Sequence, residues 1–199
     1  MWCKLGHMTD TPDPNGGRTE LHFRRIDMRG WARDDGLFEV EGRVTDQKPH
    51  DFTPPSGTKV VPANQPIHDM GVRLVFDADM VVRAVTTFTQ SYPYGDCTEG
   101  GQALQSLVGL RIGGGWSGEV RKRLGGASSC AHLRELLIPL ASAAYQSTTA
   151  RRKDLPDQFD PSGKPVKVDS CYAYASNRSV VLHRWPAFYT GASKVVPKA

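Results

Sequence analysis

Several features are scarce or missing in this 199-residue chain, and each absence narrows what it can do. No window approaches the roughly eighteen consecutive apolar residues of a membrane-spanning helix. Neither sign of charge dominates: 25 Lys and Arg against 21 Asp and Glu leave +4, too mild a balance for a nucleic-acid partner. The short basic clusters Arg121-Lys122-Arg123 and Arg151-Arg152-Lys153 read as solvated surface. Met1 to Gly17 holds no cationic region followed by an apolar run and reads as a polar tail rather than a signal peptide. There are only four cysteines, widely separated, which without a secretory signal are expected to be thiols in a cytoplasmic protein. Cys-x-x-Cys, His-Glu-x-x-His and Gly-x-Ser-x-Gly are absent, which argues against zinc ribbons, zincins and ordinary esterases. Gly113-Gly114-Gly115 lacks the Lys and Ser/Thr of a phosphate loop and reads as a turn.

What is present is an ordinary globular composition, enough for one domain over 19–190 between tails at 1–18 and 191–199. His22 to Trp31 and Leu37 to Val44 read as two strands across the turn Asp34-Asp35-Gly36, where Gly takes positive φ. Alternation puts Phe38, Val40 and Gly42 on one face of the return strand and Leu37, Glu39, Glu41 and Arg43 on the other. The prolines between Lys48 and Pro66 mark a loop. A second hairpin follows, turning at Asp77-Ala78-Asp79 and returning over Met80 to Thr89.

Gly100 to Val108 is expected as a short helix with Ala103, Leu104, Leu107 and Val108 inward, and Trp116 to Leu124 as another. Ser129 reads as the N-cap of the longest helix, Cys130 to about Thr148, in which Pro139 predicts a kink or an early end. Ser170–Tyr174 and Val180–Leu182 are expected to close the fold as a hairpin across Ser176-Asn177-Arg178. Strands, then helices, then a hairpin make an α+β domain, an antiparallel sheet of hairpins with helices packed on one face.

The residues that promise chemistry are His68, Cys97, Cys130 and His132, with Cys171 a further thiol. Two thiols and two imidazoles meeting in one pocket would make either a metal site or a thiol/imidazole active site. A thiol at the first turn of a helix is favoured as thiolate. On a regular helix Cys130 and His132 would point about 200° apart, so only a frayed first turn lets both reach one ion. Asp96 sets a carboxylate beside Cys97, and His68 is expected in a loop before the second hairpin. Arg33, Asp35, Glu41 and Asp46 surround the first hairpin, and Asp35 and Asp46 read as turn and solvated strand face. Tyr92, Tyr94, Trp116, Tyr172 and Tyr174 would pack in the core or line a pocket for a flat substrate.

The phrases Arg33-Asp34-Asp35-Gly36, Ile67-His68-Asp69-Met70, Tyr92-Pro93-Tyr94-Gly95-Asp96-Cys97, Ser129-Cys130-Ala131-His132-Leu133 and Asp169-Ser170-Cys171-Tyr172-Ala173 occur in that order. Together they resemble the bacterial DUF2889 family over roughly Thr19 to Tyr189. That family's pattern has Gly and Thr where this chain has Ser129 and Ala131, which keeps Cys130 and His132 but removes a hydroxyl. At the level of topology the order of elements is also similar to NifU-like and SufE-like proteins, with Cys97 after a hairpin strand and Cys130 opening a long helix.

The family resemblance implies aromatic catabolism: a carbon–carbon lyase acting on a phenolic, lignin-derived substrate, with formaldehyde lost from a hydroxymethyl side chain. Such chemistry needs no redox cofactor. Arg33 and Tyr94 would hold the phenolate, and His68, His132 or Asp96 would be the base, beside the thiols Cys97 and Cys130. The competing expectation is a metal-binding or sulfur-carrier protein, with zinc or an iron–sulfur unit on His68, Cys97, Cys130 and His132 or Cys171. The partner is then a small aromatic molecule or a metal, with no nucleic acid and no membrane; self-association is left open.

Overall fold

The computed structural model describes residues 17–55, 57, 59–152 and 155–191. The chain divides between Thr148 and Thr149 into two compact units. The first is built on an antiparallel meander of β1 (Phe23–Ala32), β2 (Phe38–Gln47), β3 (Pro66–Phe76) and β4 (Val82–Ser91), in that spatial order. Gly36 closes the first turn at φ +80°, as the sequence predicts. At the β3–β4 turn the Asp77 carboxylate accepts the backbone N–H groups of Asp79 and Val81, both at 2.9 Å. These bonds brace Met80 in a left-handed conformation.

Side-chain alternation sorts the sheet into two faces. The inward positions of β2 are Phe38, Val40, Gly42, Val44 and Asp46, all buried. Their partners on β3 are Phe76, Leu74, Val72, Met70 and His68, so the two inner rows face each other rung by rung. The outer face carries charge: Arg33 pairs with Glu39, Arg73 with Glu39 and Glu41, and Arg43 with Asp69.

Helix α1 (Trp116–Leu124) forms where the sequence predicts it, and α2 (Ala131–Ser147) lies on the inner face through Leu133, Leu136, Leu137, Leu140 and Ala144. Gly42 permits that approach, because a Cβ there would sit 3.1 Å from Leu140 Cγ and 2.9 Å from Met28 Sδ. Pro139 does not end α2. It withholds one amide donor from the Glu135 carbonyl, but packing of Leu136, Leu137 and Leu140 carries the helix through. The Trp116 indole N–H adds a bond to the Leu137 carbonyl at 2.9 Å.

Three local expectations change. The segment before α1 is two 3₁₀ turns, Gly95–Thr98 and Gln102–Leu107; Leu104 and Leu107 are buried and Ala103 packs against the same core, whereas Val108 is exposed. The N-cap of α2 is Cys130, not Ser129, whose hydroxyl instead donates to the Leu124 carbonyl at 2.8 Å. His68 lies within β3 rather than in a loop.

The second unit contains α3 (Thr149–Arg152) and α4 (Ser179–Arg184). The expected closing hairpin is absent: Tyr172–Tyr174 is a 3₁₀ turn and Val180–Leu182 lies inside α4. Val181 and Trp185 stand four residues apart, and both are buried with Val168 in a small core. That helical spacing overrides the strand preference of the two valines. Asp157 fixes the end of the segment, accepting from the Trp185 indole at 2.7 Å and the Arg184 guanidinium at 2.8 Å.

Candidate functional site

One row of the sheet differs from the rest. Arg24 on β1 is the register partner of Asp46 on β2, which is the partner of His68 on β3. These three side chains occupy inward positions, where the other rungs between β2 and β3 hold apolar residues or glycine. A register shift between Asp46 and Gln47 marks the end of the ladder, a device that re-aims side chains beside sites.

Asp46 is 2% exposed and its two carboxylate oxygens are surrounded by donors. Arg24 donates from Nε to Oδ1 at 2.8 Å and from Nη2 to Oδ2 at 3.0 Å. His22 Nε2 lies 3.1 Å from Oδ1, and His68 Nδ1 lies 3.1 Å from Oδ2. His132, from the first turn of α2, brings Nε2 to 3.8 Å from Oδ2. The His68 and His132 rings lie with centroids 3.9 Å apart and planes inclined at 34°. Arg24 also reaches Glu135, one turn after His132, at 2.8 Å. A chain of charge therefore runs from helix to strand: Glu135, Arg24, Asp46 and the imidazoles.

Cys130 is coupled to this row through His132. It precedes the helix with extended backbone angles, φ −61° and ψ 126°, so its side chain is not bound by helical phase; the thiol lies 3.7 Å from Met70 Sδ and near enough to the His132 ring for each to shift the other's protonation. The tension between a 200° separation and a shared site disappears for that reason. The Cys130 N–H donates to the Gly100 carbonyl at 2.9 Å, and a Cβ on Gly100 would come within 2.7 Å of Cys130 Cβ. Glycine is what lets the preceding turn support the thiol at this distance.

The surroundings set the protonation states in opposite directions. Burial pushes the Asp46 carboxyl up, but the Arg24 hydrogen bonds and charge, with His68 and His22, hold it below the usual carboxylate value. His68 is pulled below the ordinary imidazole value by burial and by the neighbouring His132, against the attraction of Asp46. His132 is raised by its hydrogen bond to Cys130, against its own burial. Burial raises the Cys130 thiol, yet bonding to His132 and to the N–H groups of Leu133 and His132 brings it below its ordinary value.

The structure thus brings together His68, His132 and Cys130 from the residues expected to act. Among the described residues, Asp46, His68 and His132 are a set whose donor atoms all lie within 4.8 Å of one another; Cys97 is not in it. Cys97 is half-buried in the first 3₁₀ turn, its N–H bonded to the Tyr94 carbonyl at 3.1 Å. The Tyr94 hydroxyl donates to the Pro55 carbonyl at 2.8 Å, and Asp96 is exposed. Arg33 is engaged at the hairpin tip with Asp35 and Glu39. Cys171 lies exposed in the second unit. Trp116 is core, whereas Tyr92, Tyr94 and Tyr172 are exposed and Tyr174 packs on Trp185.

Asp46 is not on a solvated face, and His22 and Arg24 belong to the site without having been singled out. A parity count would have found Asp46: it shares the even-numbered face of Phe38, Val40, Gly42 and Val44. His68 shares the face of Met70, Val72, Leu74 and Phe76 by the same count.

Among the described residues no helix is long and apolar enough to cross a membrane. No curated protein and no solved structure shows significant similarity to the chain. A family model described as a protein of unknown function (DUF2889) matches residues 22–146, more than half of the chain and nearly all of the first unit, from His22 to the last turn of α2; the chain belongs to the DUF2889 family.

Proposed function

We propose that the chain is a small-molecule lyase that cleaves a carbon–carbon bond of a phenolic substrate by acid–base chemistry, releasing formaldehyde from a hydroxymethyl side chain. The observation that carries this reading is the pair of imidazoles held on one buried carboxylate, with their proton affinities displaced in opposite directions. Groups pushed apart in this way divide into base and acid. His68, favoured in its neutral form, takes the hydroxymethyl proton as the carbon–carbon bond breaks. The phenolate first expels a benzylic oxygen substituent, which leaves with its electron pair and is protonated to an alcohol or phenol; the carbon–carbon bonding electrons then pass into the resulting quinone methide and restore a phenolate, so the sequence is redox-neutral. His132, favoured in its charged form, stabilises that phenolate. Asp46 orients both rings, and Arg24 is committed to Asp46 and Glu135, which makes it a positioning residue. Tyr92, exposed and following Ser91, the register partner of Asp69, supplies an aromatic surface near the same end of the sheet.

The test is formaldehyde release from phenolic dimers bearing a hydroxymethyl side chain. Loss of His68 or His132 should lower turnover by about 100-fold or more, the usual contribution of a positioned acid or base. Unchanged turnover in folded His68→Ala and His132→Ala would remove the assignment.

A further inference from the structure

We propose that Asp46, His68 and His132 bind one divalent ion of the zinc or ferrous class. The inference concerns the cluster used in the lyase reading but rests on ligand geometry, and it stands without that reading. His68 Nδ1 and His132 Nε2 both face Asp46 Oδ2, at 3.1 and 3.8 Å, and all three donor atoms lie within 4.8 Å of one another. Ligands bound at about 2.0–2.1 Å to one ion stand roughly 3.0–3.5 Å apart, so the Asp46–His68 pair already has the required separation and His132 closes the set by moving inward.

The donor types select the ion. Two imidazoles with one carboxylate suit first-row transition metals, whereas calcium and magnesium prefer sites made of oxygen. Three protein ligands leave at least one coordination position open, the pattern of a reactive rather than a structural site.

The supports around the ligands fit the same role. Arg24 grips both oxygens of Asp46 and fixes the carboxylate plane, while Glu135 holds Arg24 from the other side. Outer partners of this kind orient metal ligands. The charges of Asp46, Glu135 and Arg24 sum to −1, which offsets part of the cation's charge. The three ligands come from β2, β3 and the first turn of α2, all parts of one packed unit. With an ion in place, the lyase reading survives in a metal-assisted form, with His22 as the imidazole left outside the ligand set.

The experiment uses the full chain purified without nickel affinity and stripped with chelator. It is titrated with zinc by calorimetry and with cobalt(II) by visible absorption. The expected result is one ion per chain, with a cobalt spectrum that zinc abolishes. Binding should weaken at least 100-fold in His68→Ala and in the milder His132→Gln, and be retained in Cys97→Ser and Cys171→Ser. Circular dichroism confirms that each variant is folded. Absence of uptake by the folded wild-type chain overturns the proposal, and so does binding that persists unchanged in both histidine variants. Formaldehyde release is measured on the same stripped and loaded samples. Uptake without release keeps the metal site and removes the lyase; release by a chain that takes up no ion does the reverse.

Discussion

The inward face of β2 is two regions in one strand. From Phe38 to Val44 its rungs are apolar, matched against Phe76, Leu74, Val72 and Met70 and covered by the leucines of α2. One step further the same face presents Asp46, flanked by Arg24 and His68. Val44 and Asp46 are alike in burial along the strand, but the polar rung lies at the register shift and its partners Arg24 and His68 are more open than the apolar ones. The apolar rungs gain stability from burial, whereas the polar rung must satisfy a buried carboxylate before it contributes anything. A charged group kept in such a place marks a functional site more strongly than exposed charges do.

The comparison can be broken at either end. Truncating an apolar rung should have the largest effect on the fold: Phe76→Ala is expected to cost about 3–5 kcal/mol, read from urea denaturation. Asp46→Ala should cost less, about 1–3 kcal/mol, by stripping Arg24, His22 and His68 of their common acceptor. It should also abolish metal uptake. Converting the whole rung to apolar character sharpens the contrast further. Arg24→Met, Asp46→Leu and His68→Leu combined should leave stability within about 1 kcal/mol of wild type, or raise it, because buried ion pairs are often matched by apolar replacements. Loss of function with retained or increased stability would show that the rung is kept for chemistry; a collapse of the fold would show that it is structural.

The smallest effect is in pH. The folded-state value of Asp46 lies below that of the unfolded chain, near 3.9, so its contribution is complete above that value and fades as pH falls through the folded value. The stability difference between wild type and Asp46→Ala should therefore grow from neutral pH to about pH 5, as His68 and His132 take up protons beside the carboxylate, and shrink below about pH 4. The two site histidines oppose one another. The contribution of His68, lowered on folding, is lost as pH falls below about 6.5, whereas that of His132, raised on folding, is lost as pH rises above it. Urea midpoints across this range in His68→Gln and His132→Gln should change slope in opposite senses.

Much of the first unit is legible in the sequence because its signals are local. Alternation along β2, the positive φ of Gly36 and the helical run from Trp116 to Leu124 each follow from a few neighbouring residues. The α+β class follows from their order. The site is less legible because it depends on register. Nothing local joins Arg24, Asp46 and His68, which are 22 residues apart at each step and meet only through strand pairing. The nearby thiol was visible, but its coupling to His132 depends on Cys130 lying just outside the helix. In the second unit strand propensity misled, since Val181 and Trp185 bury at helical spacing in a small core while Val180 stays exposed on α4.

Arg24 has a second consequence through its place on β1, which has one strand neighbour in the four-stranded sheet. Strands with a free side can recruit a copy of themselves, and charged side chains oppose this. Leu21, Phe23, Ile26 and Trp31 are exposed along or beside β1, interleaved with Arg24, Arg25, Asp27 and Arg29. The guanidinium that holds the Asp46 carboxylate is thus also part of the barrier that keeps one molecule from zipping onto another. Drift at this position would be penalised twice, once in chemistry and once in solubility.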